Sequence, residues 1–148
     1  MNQDTPTFGA YTDYGVLRAA IVGIAEGLAL PPFNPSLHHY NDEVQAALKA
    51  SGGEPLDIRT AFPERWEKTV EQLDNLAALY EKNGVTVYRP RPYSEEERNY
   101  LAELQPGASL LYPADPVYTV GKTYFEVNLR RAYRRKEVFP LREIVAPL

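Results

Sequence analysis

The stretch from Pro63 to Tyr88 constrains the fold of this chain more than any other. Within it Trp66, Val70, Leu73, Ala77 and Tyr80 recur at steps of four and three, joined by Leu76 and Leu79. That is the period of a helix with one apolar face. Pro63 suits the first turn, where a missing N–H costs nothing, and Gly84 suits the left-handed position just past the end. Val85-Thr86-Val87-Tyr88 follows directly as a short strand, stopped by Pro90 and Pro92. A helix of this kind feeding a short β-branched strand predicts a mixed α/β fold.

The remaining segments are read around that unit. Val16 to Gly23 is short and apolar, and predicts a buried strand closed by a glycine. Residues 25–62 read as irregular, with turn signals at Pro31-Pro32, Asn34-Pro35 and Ser51-Gly52-Gly53 and a short helix over Asp42–Ala50. Ser94 with Glu97 is a capping-box pattern that opens a helix towards Leu104. Ser109–Tyr112 predicts a strand. Pro116–Leu129 predicts a hairpin turning at Val120-Gly121-Lys122, with Glu126 and Asn128 on one face and Phe125, Val127 and Leu129 on the other. Residues 130–137 read as helix or loop, and Val138–Val145 as mixed. The order is strand, helix, strand, hairpin, within a single domain spanning residues 1–148.

Composition enters through what it excludes. A formal net charge of -4 argues against a general surface for nucleic acid or anionic membrane. The sequence contains no cysteine, hence no disulfide, no thiolate nucleophile and no cysteine metal site. That fits a cytoplasmic protein. The polar start MNQDTPTFGAY lacks the apolar core of a signal peptide, and no apolar run approaches a membrane span.

Four groups of residues could carry chemistry. Asp115 stands in Pro113-Ala114-Asp115-Pro116, where Pro116 pushes it towards extended backbone at the entrance of a strand. A carboxylate held so can accept a paired hydrogen bond from a guanidinium. The plainer reading, favoured on spacing alone, is a turn. The run Arg130-Arg131, Arg134-Arg135-Lys136 with Glu126 and Glu137 could be an ion-pair network that orders a loop; composition alone favours a solvated charged face. His38 and His39 are the only histidines. Adjacent residues point apart, so they make a poor chelate and read as exposed loop residues. A Ser–His–Asp arrangement is set in space and not in spacing, but no nucleophile-elbow pattern supports one. Trp66 reads as packing. Phosphate-loop and dinucleotide glycine patterns are absent, and no metal or cofactor is expected.

The ordered set Leu17-Arg18-Ala19-Ala20-Ile21-Val22-Gly23, Leu73–Tyr80, Gly84 to Pro90, Tyr112-Pro113-Ala114-Asp115-Pro116 and Val120-Gly121 resembles the amidinotransferase family, within the guanidine-modifying superfamily. Arg134 to Glu137 is similar to the family's Arg-x-x-Glu stretch after the hairpin. The resemblance runs from about residue 14 to 143. It implies part of a five-bladed α/β propeller (a pentein-like fold), about one ββαβ-type module and the start of a second. It implies a reaction in which a cysteine attacks the guanidinium carbon of arginine, with a histidine and acidic residues assisting, and the amidino group passes to an acceptor amine. Asp115 matches the family aspartate that contacts the substrate guanidinium.

Two departures stand out. Ala114 replaces the arginine that precedes this aspartate in the family. The family's catalytic histidine and cysteine come later than these residues, and His38 and His39 lie too early to stand in for either. The resemblance therefore implies the N-terminal part of an amidinotransferase-like enzyme. It binds arginine or another guanidino compound, is inactive alone, and is completed by self-association or a partner chain. Two alternatives stay open: a non-catalytic oligomerising protein that keeps the fold, and part of an arginine deiminase-type hydrolase with water as acceptor.

Overall fold

The computed structural model describes residues 9–12 and 14–148, so the polar lead-in lies largely outside the described residues. The expected helix is present as α3, Pro63–Lys82, with Asn83 as its cap and Gly84 beyond it at φ 78°. In the labels used below, α1 is Asp42–Ala50 and α2 is Ile58–Ala61. Ala77 on α3 is buried, and the Trp66 indole N–H donates to the Ala25 carbonyl at 3.1 Å, so Trp66 packs as expected. Leu76 and Leu79 are exposed and do not belong to the buried face.

The strand after this helix, β4 (Thr86–Tyr88), pairs in parallel with β1 (Ala19–Ile21), Ala19 opposite Thr86 and Ile21 opposite Tyr88. A parallel pair requires a crossover, and α3 supplies its helix. The residues before β1 are not buried as expected: Val16 and Leu17 are 84% and 50% exposed.

Residues 25–62 are not irregular. Strand β2 (Ile24–Leu30) runs antiparallel between β3 (Leu56–Asp57) and β5 (Ala108–Leu110). The signal is masked by Gly27, at φ 66°, and by a register shift between Ile24 and Ala29. A glycine in a short apolar run reads as a break, whereas here it lies inside a strand at an irregularity of the pairing. Gly23 joins β1 to β2, and a Cβ there would lie 2.3 Å from the Leu111 carbonyl oxygen. Helix α1 forms as predicted. The Val44 N–H donates to the Asn41 side chain at 3.0 Å, and Val44 and Leu48 bury against Leu30 and Leu37.

Strands β6 (Val117–Val120) and β7 (Thr123–Glu126) form the predicted hairpin, with Gly121 at φ 57°. The pairing stops at Glu126, so Val127 to Leu129 are not sheet. Tyr118 and Phe125 stack across the hairpin, centroids 4.9 Å apart. Residues 138–145, expected to be mixed, form helix α5, whose Val138 and Leu141 close a core on Val117.

Helix α4 (Glu95–Asn99) is shorter than expected, and Leu101 beyond it takes φ 59°. Its capping box is complete: the Glu97 N–H donates to Ser94 Oγ at 3.2 Å, and the Ser94 N–H to Glu97 at 2.9 Å. Ser94→Ala is expected to cost about 1 kcal/mol. Thermal unfolding should show this as a melting point roughly 2–4 °C lower; an unchanged melting point would mean that α4 contributes nothing to the cooperative unit.

Candidate functional site

Asp115 lies in the turn that leads from β5 to β6. Its N–H donates to the Tyr112 carbonyl at 3.1 Å, and Pro116 behind it is buried. The same residue also pairs with a guanidinium: Arg134 Nη1 donates to Asp115 Oδ2 at 2.8 Å. Arg134 turns its other edge to Glu137, with Nε to Oε1 at 2.6 Å and Nη2 to Oε2 at 2.9 Å. The result is one planar cation between two carboxylates, bidentate to Glu137 and single to Asp115. The 3-10 helix Ala132–Glu137 produces this arrangement by placing Arg134 and Glu137 one turn apart.

Burial grades the three groups. Glu137 is 1% exposed, Arg134 16% and Asp115 50%. The inner pair is closed off, and Asp115 is the member that still faces solvent. Composition favoured a solvated charged face for residues 130–137; the structure corrects this, since Lys136 and Glu137 are both buried. Lys136 Nζ donates to the Arg98 carbonyl at 2.6 Å and sits 5.9 Å from the Tyr93 ring centroid. Glu126 does not join this cluster. It accepts from Arg142 Nη2 at 2.6 Å.

The partners respond differently to their surroundings. Arg134 is held above its ordinary range despite burial, because two carboxylates accept from it. Burial pushes Glu137 up to about 7, against the pull of Arg134, and nearby Asp115 adds to the rise. One direction favours a charged pair and the other a protonated carboxyl. The near-complete burial of Glu137 decides between them: its charge is the more easily given up. Burial also pushes Lys136 down.

Arg91, which the sequence reading does not single out, forms a second cation of this type. Its Nη1 and Nη2 donate to Glu97 at 2.7 and 2.9 Å, and its Nε to Glu143 at 2.8 Å. The capping-box Glu97 was the available signal. His38 and His39 are exposed, with ring centroids 6.1 Å apart and planes at 85°. No group of three or more metal-ligating side chains occurs among the described residues. None of their helices is long and apolar enough to cross a membrane.

A larger cleft of about 790 Å³ opens between the segment preceding β1, the β6–β7 hairpin and α5. Val16, Leu17, Tyr118 and Leu148 line it, all of them exposed.

No family model matches this chain. It is 28% identical over 127 residues to the L-arginine:L-lysine amidinotransferase of Pseudomonas savastanoi pv. phaseolicola, an alignment covering 81% of this chain and 32% of that protein. Its fold is similar to that of the inosamine-phosphate amidinotransferase of Streptomyces griseus, with a TM-score of 0.68 at 23% identity, over 94% of this chain and 39% of the other. The chain thus spans about a third of the length of the curated relative. The resemblance to amidinotransferases read from the ordered segments is present in sequence and in fold.

Proposed function

We propose that this chain, similar in sequence and in fold to part of an amidinotransferase, is a guanidine-handling module that contributes Asp115 to the binding of arginine. The observation that carries this reading is the Asp115 carboxylate. It is half exposed and already oriented by a guanidinium, that of Arg134. Ala114 leaves the position before Asp115 without an arginine; Arg134 takes over the task of orienting the carboxylate from elsewhere in the chain. A substrate guanidinium would meet the exposed side of Asp115 with a charge-assisted hydrogen bond.

Amidino transfer through a covalent intermediate needs a nucleophile. These residues offer no thiol, so the cysteine and histidine must come from other residues, in the same polypeptide or a partner. The 790 Å³ cleft and the exposed Val16, Leu17 and Val120 beside the hairpin support a surface that the rest of an α/β propeller covers. The same exposed side chains favour a second reading, a non-catalytic protein that keeps the fold and associates through this face. A deiminase-type parent differs only in taking water as acceptor.

An NMR titration with L-arginine separates the guanidinium readings from the association reading. Saturable shifts around residues 113–117 are expected at millimolar arginine and none there with L-citrulline, which has the same length and α-carboxylate but an uncharged side chain. Asp115→Asn should weaken binding about tenfold or more. A folded wild-type chain with no saturable response would reject the guanidinium reading and leave the association reading standing.

A further inference from the structure

A second, smaller recess of about 160 Å³ opens beside Arg134. Three tyrosines line it, Tyr40, Tyr112 and Tyr133, together with Ser109, Arg131 and the edge of Arg134. His39 stands at the rim, its ring 4.4 Å from that of Tyr40. No carboxylate lines this recess among the described residues. Its side chains are rich in donors: four hydroxyls and two guanidinium groups.

The two arginines differ in their charge balance. Arg134 is neutralised by Glu137 and Asp115. Arg131 makes no ion pair among the described residues, and its Nη1 is buried without a hydrogen-bond partner among them. A buried donor left unpaired is costly, and native structures usually pair it with an ion, a water or a ligand. Burial pushes Tyr40 and Tyr133 up, so both remain O–H donors at neutral pH.

We propose that this recess binds a small oxyanion, a carboxylate or a phosphate group, with Arg131 supplying the charge and the tyrosine and serine hydroxyls the remaining donors. The volume fits an anion of a few heavy atoms and is well below the roughly 300–1,000 Å³ of pockets for larger ligands. This site adjoins the guanidinium site, sharing Arg134 and Tyr112, but its ligand has the opposite charge and its charged donor is Arg131, so anion binding and arginine binding can fail separately.

The test is an NMR titration of the whole chain with sodium phosphate and, separately, sodium acetate, at constant ionic strength set by sodium chloride. Saturable millimolar binding is expected, with shifts at Tyr40, Ser109 to Tyr112 and Arg131 to Tyr133. Arg131→Gln should weaken it about tenfold or more, and Arg131→Lys should retain part of it. Tyr112→Phe, which removes only an exposed hydroxyl, serves if the arginine variants do not fold, and should weaken binding severalfold. A stronger response to phosphate identifies a phosphate group as the ligand, and a stronger response to acetate a carboxylate. The proposal is overturned if neither anion gives a saturable response, if chloride gives the same shifts, or if folded Arg131→Gln and Tyr112→Phe both bind as the wild type does.

Discussion

Gly23→Ala is expected to leave little folded protein. Gly23 is buried where β1 gives way to β2, and it faces the backbone at the end of β5. An added Cβ would stand 2.3 Å from the Leu111 carbonyl oxygen and 2.4 Å from that of Leu110. These are main-chain atoms and have no rotamer to escape into. Ile24, the next residue, pairs with Leu110, so admitting the methyl group means prising β2 from β5 at the centre of the sheet. Leu110 is itself 2% exposed and packs with Ile24, Ala108 and Tyr93. The expected loss is about 3 kcal/mol or more, at the upper end of overpacking effects. Soluble yield and the urea midpoint measure it; a variant with the wild-type midpoint would show that β2 and β5 do not approach this closely.

Glu137→Ala is the second large effect. Removing the carboxylate leaves Arg134, 16% exposed, with only the half-exposed Asp115. Breaking one side of a buried ion pair typically costs about 3–5 kcal/mol, and the lower figure suits a cation that keeps one partner. For a chain of this size the melting point should fall roughly 6–12 °C. Glu137→Gln should cost much less, because it imitates the protonated carboxyl that burial already favours.

The sign of the pH dependence follows from the same burial. Glu137 lies at about 7 in the folded chain against an ordinary 4.5, so between these values the folded state holds the extra proton. Its contribution to stability is complete below about 4.5 and is lost as pH rises through about 7. Melting points recorded from pH 5 to 8 should therefore show, in the wild type, a decline that Glu137→Gln lacks. Parallel curves for the two proteins would mean that Glu137 is not desolvated.

Legibility in the sequence followed the range of the interactions. α3, the α4 capping box, helix α1 and the Gly121 hairpin are set by neighbours within a few residues, and each was legible from spacing. Strand β2 was not, because Gly27 interrupts its pattern and its pairing partners lie far along the chain, at Leu56 and at Ala108. Asp115 was picked out through its prolines. Its actual partner, Arg134, was lost in a run of like charges whose burial no composition reveals. Glu137 reads as one more surface acid, although it is 1% exposed in the folded chain. The resemblance to amidinotransferases pointed to the Arg-x-x-Glu stretch, but gave no reason for it; the bidentate pair is a physical reason.

The pairing of β1 with β4 carries a consequence for the order of assembly. The β6–β7 hairpin closes over a two-residue turn, and such hairpins form within microseconds. Ala19 and Thr86, by contrast, meet only after β2, α1, β3, α2 and α3 have been laid between them, and closing so long a loop is entropically expensive until those elements are compact. The parallel pair is thus expected to form late in folding, which leaves the facing edges of β1 and β4 unpaired until it does.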